Sequence, residues 1–198
     1  MELDGRGRDD PRERILLAAE KLFAARGFSA ASVQEITDAA GINKAMLYYY
    51  FGSKEKLYNE LMEQGSANLK YAMEQALKGN SVEQHLQRFL TAYFTMIAAR
   101  PELAQIVYRE VLGYGSDNGP DVRDKLLAYI HQLQELIESG QKNGELRSLD
   151  PSLTAYSLFG MSNVFSTAHL TGSRALEITA TVNHTVDLFM HGAIKDKR

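Results

Sequence analysis

The run Gly41-Ile-Asn-Lys-Ala-Met-Leu-Tyr-Tyr-Tyr-Phe-Gly-Ser-Lys-Glu-Lys-Leu57 carries the side chains best suited to touch another molecule. Three consecutive tyrosines stand between Gly41 and Gly52, with Lys44, Lys54 and Lys56 around them. Successive residues of a helix turn by about 100°, so Tyr48, Tyr49 and Tyr50 sweep about 200° of its surface. Leu47 and Phe51, at i and i+4, already supply an apolar stripe. A short helix cannot bury every ring, so at least one phenol faces outward. Aromatic hydroxyls and ammonium groups on a small exposed helix suit phosphates and base edges.

Those side chains need a scaffold, and the pattern for one lies just upstream. Asp10-Pro11-Arg12-Glu13 reads as a helix start, with a cap, a proline at the first position and a glutamate three residues after the cap. Ile15, Ala19, Leu22 and Phe23 follow at helical spacing until Gly27. Ser32-Val33-Gln34-Glu35 is a capping box for a second helix ending near Ala40-Gly41. Asn43 caps a third. Ile36, Ala40, Ile42, Leu47 and Phe51 close a small core, with Phe23 and Phe28 as partners. The second and third helices thus form a helix-turn-helix, whose later helix enters a major groove N-terminus first.

The rest of the chain also reads as helix. Ser53 caps a fourth, running from Lys54 to about Leu77. Ser81 opens a fifth with Val82, Leu86, Phe89, Leu90, Tyr93 and Ile97 on one face. Pro101 opens a shorter one through Val111, Gly113–Gly119 is a loop, and Pro120 starts a helix that stops near Gly140. Pro151–Ser173 contains no Asp, Glu, Lys or Arg. Its serines, threonines, Asn163 and His169 speak against a membrane span. A helix buried on two sides, by its own domain and by a partner chain, fits better. Tyr156, Gly160, Val164 and Ala168, with Val182, Val186 and Phe189 of a last helix from about Arg174 to Met190, are the expected dimer interface. Asn163 and His169 each need a partner: a ligand, an intrachain group or a second subunit. The expected fold class is all-α, with about nine helices: a helix-turn-helix head at 1–52, its first nine residues a flexible arm carrying Arg6 and Arg8, and a larger helical domain at 53–198.

The 198-residue chain has a formal charge of −3 and no cysteine, which excludes disulfides and thiolate metal sites. Residues 1–58 hold nine cations and nine anions, so nucleic-acid binding must rest on local placement rather than bulk charge. Neither a secretory signal nor a membrane span is visible, and the expected location is the cytoplasm. The five histidines show no metal spacing. No nucleophile–base pair, phosphate loop or carboxylate pair appears. An enzyme is not expected, and neither is a cofactor.

Ala19, Leu22, Phe23, Gly27, Phe28, Ser32, Val33, Ile36, Ala40, Gly41, Ile42, Leu47, Tyr48, Tyr50, Phe51, Ser53, Lys54 and Leu57 together resemble the tetracycline-repressor (TetR) family of bacterial transcription regulators. The resemblance covers roughly residues 11–60. It implies that Ser32 caps the second helix and meets a phosphate, and that Gln34 touches DNA. It places Lys44, Ala45, Met46 and Tyr49 toward the groove, and Tyr48, Tyr50 and Lys54 on phosphates. Ala45 and Met46 depart from the Gly or Pro and the Thr or Ser common there; both are apolar, which suits contact with thymine methyl groups. The resemblance further implies a homodimer on a roughly palindromic double-stranded DNA operator, most simply a repressor, released by an apolar or amphipathic small-molecule effector. Tyr93, Met96, Tyr108, Tyr129, Phe159 and Asn163 are the expected effector pocket. An effector-free architectural or division-control protein is the alternative on the same fold.

Overall fold

The computed structural model describes residues 10–76, 79–111 and 120–192. The expected arm at 1–9 and the loop at 113–119 lie outside the described residues, as does Leu77. Among the described residues the regular elements are nine helices: α1 (Pro11–Arg26), α2 (Val33–Ala40), α3 (Lys44–Phe51), α4 (Lys54–Ala76), α5 (Val82–Ala99), α6 (Pro101–Val111), α7 (Pro120–Lys142), α8 (Pro151–Leu170) and α9 (Ile178–His191). The last helix starts later than the apolar spacing suggests. Gly172 in left-handed backbone and the Thr171 hydroxyl, donating to Thr167 O at 2.8 Å, close α8 first.

The caps form as the sequence pattern requires. Asp10 accepts the Arg12 N–H at 3.0 Å and Pro11 takes the first helical position. Both halves of the Ser32–Glu35 box are present: Glu35 N–H donates to Ser32 Oγ at 3.2 Å, and Ser32 N–H to Glu35 Oε2 at 3.0 Å. The Ser32 backbone N–H, then its hydroxyl, hold the exposed Glu35 carboxyl below the ordinary carboxylate value. Asn43 accepts the Met46 N–H at 3.0 Å.

The residues pack as two compact units. One comprises Met1–Ser66 with Glu102–Arg123, the other Ala67–Pro101 with Asp124–Arg198. In the first, Ile15, Ala19, Phe23, Ile36, Leu47, Phe51, Leu57 and Leu61 are buried together with Leu103 and Ile106 of α6. Phe23, Phe28 and Tyr58 form an aromatic knot, with Phe23 and Tyr58 edge to face at 5.2 Å. Polar contacts bind α6 into this unit. The Glu20 carboxylate, on a residue only 4% exposed, accepts the Leu103 N–H at 3.1 Å. A negative charge at a helix N-terminus is favourable. At the other end Arg109 donates to Phe23 O at 3.2 Å, and the buried Tyr58 hydroxyl donates to Glu110. Gly65 of α4 packs tightly against α6: a Cβ there would lie 2.5 Å from Val107 Cγ2.

In the second unit, α5 packs on α9 and α8. Leu86, Leu90, Phe94 and Ile97 are buried, as are Leu133, Ile137, Ala155 and Leu158. Tyr93 stacks on Phe89 at 5.6 Å, Phe89 on Tyr129 at 5.0 Å, and Phe159 meets Tyr129 edge-on at 5.9 Å. Burial raises the Tyr129 pKa well above the ordinary value of 10.0, and the neighbouring Tyr93 adds to the shift. The folded protein therefore keeps a proton that the unfolded chain releases. The stability this contributes is complete below the unfolded pKa and is lost as pH rises above it. Denaturant midpoints measured on both sides of pH 10 should fall steeply on the alkaline side, and less so in Tyr129→Phe.

The charge-free α8 is buried on one face only within its own unit. Ala155, Leu158, Ser162 and Ser166 point inward, and the two serine hydroxyls donate to Leu158 O and Ser162 O, each at 3.0 Å. The opposite face is apolar and exposed: Leu153 (68%), Tyr156 and Val164 (69%) flank Gly160, around which a Cβ would meet nothing within 4 Å. Val182 and Val186, expected at the dimer interface, are 3% and 2% exposed within a single chain. Their burial inside the unit leaves almost no surface for a partner to cover. Ala168 and Phe189 are half-buried.

Candidate nucleic-acid interface

The orientation of α3 follows from its two buried residues. Leu47 and Phe51 face the core. At about 100° per residue, Ala45 and Tyr49 lie directly opposite them. Exposure agrees: Tyr49 is 83% exposed, against 49% for Tyr48 and 36% for Tyr50. Lys44 and Ala45 are exposed as well, whereas Met46 is turned half inward. The Tyr49 ring leans on Tyr50 edge to face at 5.2 Å, which limits its freedom. One face of α3 thus presents an alanine methyl, an ordered phenol and flanking hydroxyls, with Lys44 at its N-terminus.

The turn ahead of α3 is held from α1. Gly41 adopts φ 65°, and Ile42 N–H donates to Thr37 O at 3.0 Å. The Arg14 guanidinium donates to Ala40 O and, at 3.0 Å, to Gly41 O. The left-handed backbone demands glycine here, and a Cβ on residue 41, coming within 2.6 Å of that guanidinium, would also push Arg14 off these carbonyls. Arg14, which holds the turn ahead of α3, is a residue that motif reading passed over. The only hint is its place on α1 one turn before the buried Ala18. Glu20, also passed over, sits amid the apolar face of Leu16, Ala19 and Phe23.

Three residues expected on DNA have partners inside the unit. The Ser32 hydroxyl donates to Glu35 Oε2 at 2.8 Å. Exposed Gln34 donates to Asp38 at 2.7 Å. Lys54 Nζ donates to Phe28 O at 2.9 Å and Ala31 O at 3.0 Å, with the ammonium 4.3 Å from the Phe28 ring centroid. That geometry makes Lys54 the staple of the α1–α2 connection, with two of its three donors already engaged. Lys54→Ala should therefore destabilise the fold by roughly 2 kcal/mol, the scale of hydrogen bonds to a charged group. A chemical-denaturation comparison checks this.

The second unit contains an open groove of about 620 Å³ between the end of α4 and α5, lined by Asn68, Tyr71, Gln87, Arg88, Met96 and Arg100 among others. Of the expected effector residues, Met96 lines it. Tyr93 and Tyr129 do not, because their rings are committed to the stack on Phe89. Phe159 packs on Tyr129, Asn163 is half-buried on α8, and Tyr108 belongs to α6 in the other unit. Among the described residues no group of His, Asp or Glu is placed to hold a metal ion, and no helix is long and apolar enough to cross a membrane.

Residues 15–61 match the family model for bacterial regulatory proteins of the tetR family, and residues 79–167 match the tetracyclin repressor-like C-terminal domain. The HTH-type transcriptional repressor NicS of Pseudomonas putida is 32% identical over 142 residues, 70% of this chain and 67% of that one. The crystal structure of PfmR, a TetR family transcriptional regulator from Thermus thermophilus, superposes with a TM-score of 0.77 at 26% identity, covering 93% of this chain and 98% of that one. The transcriptional regulator FadR from Bacillus subtilis, solved with stearoyl-CoA, shares the fold: TM-score 0.75, 21% identity, 91% and 98% covered.

Proposed function

The chain belongs to the tetR family of bacterial regulatory proteins, and from that premise we propose that it is a homodimeric, effector-responsive repressor acting in the cytoplasm. Residues 1–52 carry DNA contact; residues 53–198 carry dimerisation and effector binding. Two copies of α3 enter successive major grooves of a roughly palindromic operator, about one helical turn apart. The observation that carries this reading is α3 itself: three exposed tyrosines and Lys44, with no acidic residue on the helix.

The α8 face with Leu153, Tyr156, Gly160 and Val164 is where we place the second copy. The groove beside α5 is where we place the effector. Its size falls within the range of small-molecule sites, about 300–1,000 Å³. Met96, Ala92 and Ala99 offer apolar surface, while Arg88 and Asn68 offer polar donors. That pairing suits an amphipathic anion, the chemical class to which the stearoyl-CoA bound by FadR belongs. To act as a switch, the effector must bind the DNA-competent and released arrangements with different affinity.

Footprinting of the DNA upstream of the protein's own gene, with and without a long-chain acyl-CoA, tests the reading. We expect two protected half-sites, and loss of protection as acyl-CoA is added. Arg88→Ala should keep the footprint and raise the acyl-CoA needed to dissolve it by about tenfold, the loss of one charge-assisted contact. Binding with no preferred sequence would overturn the proposal. A footprint indifferent to acyl-CoA would overturn the effector assignment alone.

A further inference from the structure

We infer that Ala45 and Tyr49 form a seat for a thymine 5-methyl group in each half-site, so that this protein reads its operator chiefly by apolar contact. The inference rests on α3 being the groove element and specifies what that element recognises. Ala45 and Tyr49 stand one turn apart on the line opposite Leu47 and Phe51, so they are the side chains a groove floor meets first. Between them they offer a methyl and the face of a phenol. Among the four bases only thymine presents a methyl group in the major groove.

The hydrogen-bonding alternatives are few. Base readers that use strong or bidentate donors rely on Arg, Lys, Asn or Gln. Lys44 is the only such residue on α3. Nearby, Gln34 is paired with Asp38, Arg14 holds Ala40 O and Gly41 O, and Lys54 holds Phe28 O and Ala31 O. Asn43 caps α3 through Met46 N–H. Met46, the other apolar residue of the first turn, is half inward and flanks the seat rather than forming it. The edge contact with Tyr50 restricts the Tyr49 ring, which lowers the entropy lost on packing against a methyl.

The test starts from a random duplex pool, from which the full-length protein selects its preferred sequence. That duplex is resynthesised with each thymine replaced singly by deoxyuridine, which removes only the methyl. Affinity is read by fluorescence anisotropy at fixed salt. We expect one thymine per half-site at which uridine weakens binding roughly fourfold, the value of one buried methyl-sized group, and roughly fifteenfold when both half-sites are changed. Tyr49→Phe keeps the ring and should keep this penalty. Tyr49→Ala should erase it while leaving the thermal midpoint in place, since the side chain is almost fully exposed. Tight binding with uridine tolerated at every position would overturn the seat and leave the DNA-binding reading intact. A penalty that persists in Tyr49→Ala would also overturn it, by assigning the methyl to another residue. Failure to enrich any sequence would remove both this inference and the operator reading beneath it.

Discussion

Replacing Tyr48 and Tyr49 together by Ala should cut operator affinity at least a hundredfold and leave the folded protein as stable as before. Both rings are on the exposed side of α3: Tyr49 is 83% exposed and Tyr48 49%, and neither belongs to the buried core. Substitutions at such sites usually shift stability by no more than about 0.5 kcal/mol. Alanine is also the better helix former. A side-chain hydrogen bond or a buried apolar contact is worth on the order of 1 kcal/mol, and a dimer loses the set twice. Anisotropy titrations of the selected duplex, beside thermal melts, measure both quantities. An affinity within about threefold of the parent would mean that another surface faces the DNA. Lys54 is kept out of this pair on purpose. Its ammonium grips Phe28 O and Ala31 O, so a combined change would mix lost binding with a loosened α1–α2 connection.

The second large effect is expected at α8. Gly160→Asp should turn the dimer into monomers, raising the dissociation constant by about a thousandfold, because an unpaired carboxylate buried in an apolar contact costs several kcal/mol. This position separates folding from association. A Cβ on residue 160 meets nothing within 4 Å in the isolated chain, so the new side chain finds room in one protomer. A defect must then come from the partner. Sedimentation velocity across a concentration series reads the state directly. Val164→Asp, on the same exposed stripe, should behave alike. A normal dimer in both variants would place the subunit contact elsewhere.

The local features were legible because they depend on neighbours in the chain. The Ser32–Glu35 box, the Asp10 and Asn43 caps and the glycine at 41 are each dictated by a few adjacent residues. Leu47 and Phe51 were enough to aim the tyrosines outward. What escaped depends on distant groups. Lys54 reads as a surface cation until the carbonyls of Phe28 and Ala31 are brought to it. The spacing of Val182 and Val186 reveals an apolar face but not what covers it; α5 of the same chain does. Aromatic residues of α5 and α7 look alike in sequence whether they stack, as Tyr93 and Tyr129 do, or stand beside open space. Arg14 and Glu20 look like ordinary helix charges, yet each satisfies backbone groups on a segment far along the chain.

The clasp between Glu20 and the start of α6, with Arg109 and the Tyr58–Glu110 pair at its far end, has a consequence for biosynthesis. Domains generally fold as units while the chain emerges N-terminus first. Here Leu103 and Ile106, buried in the same core as Phe23 and Leu61, are encoded after all of α5. A nascent chain stalled before Pro101 should hold its first three helices loosely, with their greasy underside open to chaperones. A truncated gene ending near Ser66 should accordingly yield a poorly soluble product rather than a free-standing DNA reader.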